Sequence, residues 1–195
     1  MKSSKIALFT AAALTTLVGT SSAVSFNGNY SENFDSMGTT GTALPAGFSL
    51  YNGEPGTSNT TWSATTGIVP NGATGSVASM VLSTAGLTAT TTPSGTNSGG
   101  FNAAASSTAT NDRVAATSPT GISGSAFDLT LTNTTGRTIS SLSLGYNIVR
   151  YTSVSSANEL PGYQIFVSFA GGAWSQIAVF TPTIDGANGT IAVPN

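Results

Sequence analysis

The sequence predicts an all-β fold, a many-stranded sandwich or barrel, on three observations. After residue 23 no window carries an i, i+3, i+4, i+7 apolar stripe, and runs of Thr, Ser, Val and Gly disfavour helix. Period-2 alternation recurs instead, as where Phe127, Leu129 and Leu131 alternate with Asp128, Thr130 and Thr132. Turn residues punctuate the chain at short intervals: Gly28-Asn29, Gly38, Pro45-Ala46-Gly47, Asn52-Gly53, Pro55-Gly56 and Pro70-Asn71-Gly72. That spacing suits short antiparallel strands joined by tight turns.

Residues 1–23 read as a secretory signal peptide. Lys2 and Lys5 supply a positive start, Ile6 to Val18 an apolar run, and Ser21-Ser22-Ala23 a small-x-small site with cleavage expected after Ala23. The run is shorter than the ~20 apolar residues of a membrane span. Residues 24–195 then form a single domain, long enough for a sizeable core. Phe26, Tyr30 and Phe34 mark a first strand between Ser25 and Ser36, and Phe48 to Tyr51 a second. Trp62 centres a third in Asn59 to Thr65, and Val77 to Leu82 a fourth. Thr88 to Gly100 reads as a low-complexity Thr/Ser/Gly loop, solvated or forming a functional rim. Phe101 to Ala105 and Asp112 to Thr117 are short strands.

Gly124 to Phe180 is the expected nucleus. Phe127 to Leu131 is followed by the turn Asn133-Thr134-Thr135-Gly136-Arg137, and alternation resumes at Leu142, Leu144, Tyr146 and Ile148. Tyr163, Ile165, Val167 and Phe169 then lead through Gly171-Gly172 into Trp174, Ile177, Val179 and Phe180. After the turn Asp185-Gly186 only Ile191 to Val193 is apolar, and nothing there is expected to close a sheet. The domain therefore reads as truncated at its C-terminus.

Composition excludes several function classes. With the leader removed, Arg113, Arg137 and Arg150 face seven acids, which leaves no electrostatic footprint for nucleic acid or an anionic membrane. Cysteine and histidine are absent, so disulfides, Ser-His-Asp and Cys-His catalysis and histidine-ligated zinc are excluded. Charged residues make up only 6% of the chain, and neutral hydroxyls and amides fill its polar positions.

Two stretches carry a resemblance. Glu32-Asn33-Phe34-Asp35-Ser36-Met37, followed by Leu44-Pro45-Ala46-Gly47-Phe48 and Trp62, resembles the opening of exported bacterial jelly-roll domains of adhesin type. Leu131 to Leu142 is similar to a strand-turn-strand of surface proteins that often carry a PEP-CTERM sorting tail. Where such relatives continue with an acid-Gln-Trp-Arg run, this chain has Asn147-Ile148-Val149-Arg150, and it lacks their Asp-rich final strand and tail. The resemblance implies an antiparallel jelly-roll β-sandwich, secreted or at the cell surface, with calcium beside the opening strand. It implies little about activity.

Candidate site residues follow from the chemistry. A glycan hydrolase or lyase would need two carboxylates across a cleft, drawn from Glu32, Asp35, Glu54, Asp112, Asp128, Glu159 and Asp185. Asp128 falls on the outer face of its strand by alternation, and no two acids sit in a glycosidase or nuclease motif. Glu32, Asp35 and Asp112 could converge on Ca²⁺, although no Asp-x-Asp-x-Asp-Gly loop is present and turn-capping is the simpler role. Tyr51 and Trp62 flank a Gly/Asn/Pro loop and could stack on a sugar, with core packing the alternative for Trp62. Trp174, inside an alternating strand, reads as core, and the Gly-x-Gly patterns as turns rather than phosphate cradles. These readings point to a non-catalytic structural or adhesive module that meets extracellular polysaccharide or cell-surface matrix, with the carboxylate-dependent enzyme as the alternative.

Overall fold

The computed structural model describes residues 22–52, 81–94, 99–118, 125–151, 163–180 and, in backbone only, 189–192. The expected leader up to residue 21, the expected strand around Trp62, and Glu54, Glu159 and Asp185 lie outside the described residues. What is described is built of strands with almost no helix, arranged as several small sheets. The all-β expectation holds.

Strand β1 (Val24–Phe26) runs parallel to β8 (Leu131–Asn133), with Val24 opposite Leu131. Strand β2 (Phe48–Asn52) lies between β3 (Val81–Leu82) and β7 (Ser125–Leu129), antiparallel to both. Strand β5 (Phe101–Ala104) is central in the other three-stranded sheet, parallel to β4 (Thr88–Thr90) and antiparallel to β6 (Arg113–Ala116). Strand β9 (Asn147–Arg150) pairs with β12 (Gly189–Ala192), and β10 (Phe166–Val167) with β11 (Ser175–Gln176).

The stretch 125–133 feeds two sheets. Thr130 is the switch point: its N–H donates to the Gly47 carbonyl at 3.0 Å and its carbonyl accepts from the Val24 N–H at 3.0 Å. The two three-stranded sheets meet where Leu50 of β2 and Leu87 press on Gly100. A Cβ at Gly100 would stand 3.0 Å from Leu50 Cδ2 and 3.3 Å from Leu87 Cδ2, and its φ of 68° also favours glycine. The buried core gathers here, with Phe101, Ala103 and Ala116 in one cluster flanked by Val114 and Tyr151.

Several expectations are corrected. The expected antiparallel pairing holds in three of the five described sheets and fails in two, because β1–β8 is a parallel pair and β4–β5 adds a parallel strand to the β5–β6 hairpin. The first strand stops at Phe26: Gly28 takes a φ of 119°, and residues 32–35 fold into a side-chain-capped turn. Thr88 to Thr90 is a strand, since β-branched threonines fit a pleated surface as readily as a loop. Leu142 to Tyr146 is not strand, and Ile139, Leu142 and Leu144 are exposed. Apolar alternation permits a strand, but cross-strand pairing is what stabilises one. The segment 189–192, expected to close nothing, pairs with β9.

Candidate functional site

The most ordered polar chemistry lies between the opening turn and β5–β6. It begins with the residues 32–35, Glu-Asn-Phe-Asp. Glu32 Oε1 accepts the Phe34 N–H at 2.7 Å, Asn33 Oδ1 accepts the Asp35 N–H at 3.1 Å, and Asn33 Nδ2 donates to Asp35 Oδ2 at 2.7 Å. Short polar side chains that bond nearby amides divert the backbone from strand into turn. Phe34 is driven to a φ of 65°, a rare conformation for a bulky residue, and its ring packs edge-on against Phe48 with centroids 5.1 Å apart. A 3-10 turn, Asp35–Met37, follows and buries Met37.

Asp35 then reaches across the fold. Its Oδ1 accepts the backbone N–H of Arg113 at 2.8 Å. Arg113 is 2% exposed and its neighbour Asn102 0%. A buried guanidinium is costly unless its donors are satisfied. Here Nε donates to Asn102 Oδ1 at 2.8 Å, Nη1 to the Thr110 carbonyl at 2.9 Å, and Nη2 to the carbonyls of Thr90 (2.9 Å) and Asn102. Asn102 Nδ2 in turn donates to the carbonyls of Gly38 at 2.8 Å and Gly41 at 3.0 Å. One arginine and one asparagine thus fasten β4, β5, β6 and the 3-10 turn together through backbone acceptors.

The phenols extend this pattern. Tyr151 Oη donates to the Ala104 carbonyl, and Tyr146 Oη to the Tyr163 carbonyl at 3.3 Å. Tyr163 Oη and Thr117 Oγ1 share a hydrogen bond of 2.7 Å. Burial pushes the Tyr151 phenol up to about 12, with the Arg113 charge pulling it back. Burial also raises Tyr163, against the lowering effect of its bond to Thr117. Asp128, expected on an outer face, is half-buried on β7 opposite Ser49 of β2, and that burial raises its carboxyl.

Two of the three metal candidates, Glu32 and Asp35, are engaged by N–H donors. Asp35 does reach the Asp112-Arg113 step, yet both its carboxylate oxygens accept from N–H donors, as does Oε1 of Glu32. Among the described residues no three acidic, histidine or cysteine side chains gather as a cation would require. Calcium takes about six to eight oxygens, and this donor set does not fit it. Tyr51 lies in β2 between Leu82 and Ala126, half-buried, on the face opposite Leu50. Its proposed companion Trp62 lies outside the described residues. Trp174, expected in the core, is half-buried.

Sequence reasoning missed Asn102 and Arg113. Two signals pointed to them: an asparagine inside the small apolar run Phe101 to Ala105, and a lone arginine opening a strand in a chain of few charges. A shallow depression beside the 3-10 turn, lined by Ser36, Met37 and residues 41–45, is open and carries no acidic side chain. No family profile matches this chain, and no curated protein or solved structure is significantly similar to it.

Proposed function

We propose that the protein is a secreted or cell-surface module of structural or adhesive role, a jelly-roll-type β-sandwich that meets extracellular polysaccharide through Tyr51 and Trp62. The observation that carries this reading is how the polar groups are spent. Arg113, Asn102, Asp35 and the buried phenols are turned onto the protein's own backbone, where they hold strands rather than await a substrate. The few charges and the abundant neutral hydroxyls and amides suit contact with an uncharged, hydroxyl-rich polymer. The meeting of the two three-stranded sheets at Leu50, Gly100 and Leu87 supports the sandwich arrangement.

A pull-down of the chain from Val24 onward on insoluble neutral polysaccharides tests the binding half. Retention that falls at least tenfold in both Tyr51→Ala and Trp62→Ala is expected. Retention of no glycan, or retention indifferent to both changes, leaves a purely structural role. The enzyme alternative draws on one observation, the raised carboxyl of Asp128, and requires a second acid within ~5–10 Å of it. Glycan cleavage abolished by Asp128→Asn would establish that alternative instead.

A further inference from the structure

Among the described residues the first strand begins at the cleavage site read from the sequence. Ser22 and Ala23 are exposed, whereas Val24 is the first residue of β1 and is partly buried. Both ends of β1 are fastened. The Val24 N–H donates to the Thr130 carbonyl at 3.0 Å, and the Phe26 carbonyl accepts from the Thr134 N–H at 2.8 Å and Thr134 Oγ1 at 3.1 Å. The Val24 side chain presses on the bare backbone of Gly47, where an added Cβ would stand 2.7 Å from Val24 Cγ2 and 3.1 Å from Leu129 Cδ1. The nitrogen of the Ala23–Val24 peptide bond is therefore itself a sheet hydrogen-bond donor.

We infer that processing at the Ala23–Val24 bond precedes docking of β1 onto β8, so that folding of this edge closes the processing site. The inference rests on the export reading of residues 1–23. The catalyst is a membrane-bound peptidase selective for small residues before the cut. In the step, water adds to the Ala23 carbonyl carbon and the C–N bond breaks. Ala23 departs as a carboxylate, and the Val24 nitrogen gains protons to become an ammonium. A peptidase must engage backbone on both sides of the bond it cuts, and a folded segment is cut only through its opened population. With β1 docked, the leaving nitrogen is held by Thr130 and its side chain by Gly47. After cleavage that nitrogen still reaches Thr130, now as a charge-assisted donor, which strengthens the same contact. The mature terminus thereby becomes part of the sheet.

Two measurements test this. Intact mass and N-terminal sequencing of the exported full-length chain should give a protein that begins at Val24; cleavage elsewhere, or none, removes the export reading and this inference with it. The uncleaved full-length precursor is then folded and incubated with purified signal peptidase in detergent micelles, across a urea series that the peptidase tolerates. Cleavage at Ala23–Val24 is expected to be at least ~10-fold slower for the folded precursor than for the unfolded one. Gly47→Val, which fills the slot under Val24, should raise the rate on precursor whose circular dichroism shows the remaining strands intact. Equal rates for folded and unfolded precursor, with the cut still at Val24, would overturn the ordering and leave export standing.

Discussion

Two regions of this molecule use opposite means to hold strands. In the first, the 3-10 turn with β4, β5 and β6, every residue of the central strand Phe101–Ala104 is buried, yet that strand contains an asparagine and two alanines. Small side chains let neighbouring elements approach closely, and the Asn102–Arg113 pair donates to the carbonyls of Gly38, Gly41 and Thr90 on the elements around it. In the second region, residues 131–151 and 163–180, large apolar residues alternate along the chain but several face outward. Ile139, Leu142, Leu144, Phe169 and Val179 are all exposed, and Phe169 is 72% so. The difference teaches that polar satisfaction at close approach, more than the count of large apolar residues, sets where this fold is firmest.

The largest expected effect breaks the first region at its centre. Arg113→Ala removes donors from the carbonyls of Thr90, Thr110 and Asn102, and should lower stability by about 3–5 kcal/mol in urea titration. Asn102→Ala should cost about 2–4 kcal/mol, and the double substitution less than the two singles together, because they share the Nε–Oδ1 bond. Strict additivity would mean that the two residues act independently. Gly100→Ala comes next, at about 1–3 kcal/mol, since its Cβ would press on Leu50 and Leu87 at a positive φ.

Smaller effects sharpen the comparison. Tyr151 has a folded-state phenol raised by burial above its ordinary value of 10.0, to about 12, so the neutral form is favoured in the fold. Its contribution is fully present below pH 10 and is lost as pH rises from about 10 to about 12. Tyr151→Phe should flatten part of that alkaline loss in a pH series of thermal melts. In the second region Leu142→Ser and Ile139→Ser should change stability by no more than about 0.5 kcal/mol, as exposed substitutions do. A loss comparable to that at Asn102 would show that the exposed alternation is packed after all.

Much of the strand inventory was legible in the sequence. The β2, β5 and β6 segments, the turn at Asn133 to Arg137 and the hairpin across Gly171-Gly172 follow from local turn chemistry and short apolar runs, which act within a few residues. The parallel pairings of β1 with β8 and β4 with β5 were not legible, because register between distant segments leaves no local trace. Nor was the Asn102–Arg113 pair. A strand buried on both faces shows no alternation, and the polarity of Asn102 reads as exposure until its carbonyl partners are seen. Leu142 and Leu144 misled for the converse reason: their spacing matches a pleat, but among the described residues no strand pairs with them.

Native-state hydrogen exchange resolved by residue tests the central claim most directly. If the Asn102–Arg113 pair anchors the fold, the amides of 101–104 and 113–116 exchange slowest, near the global unfolding limit, and those of 138–146 exchange orders of magnitude faster. Slowest exchange in 138–146, with rapid exchange in β5 and β6, would contradict the account.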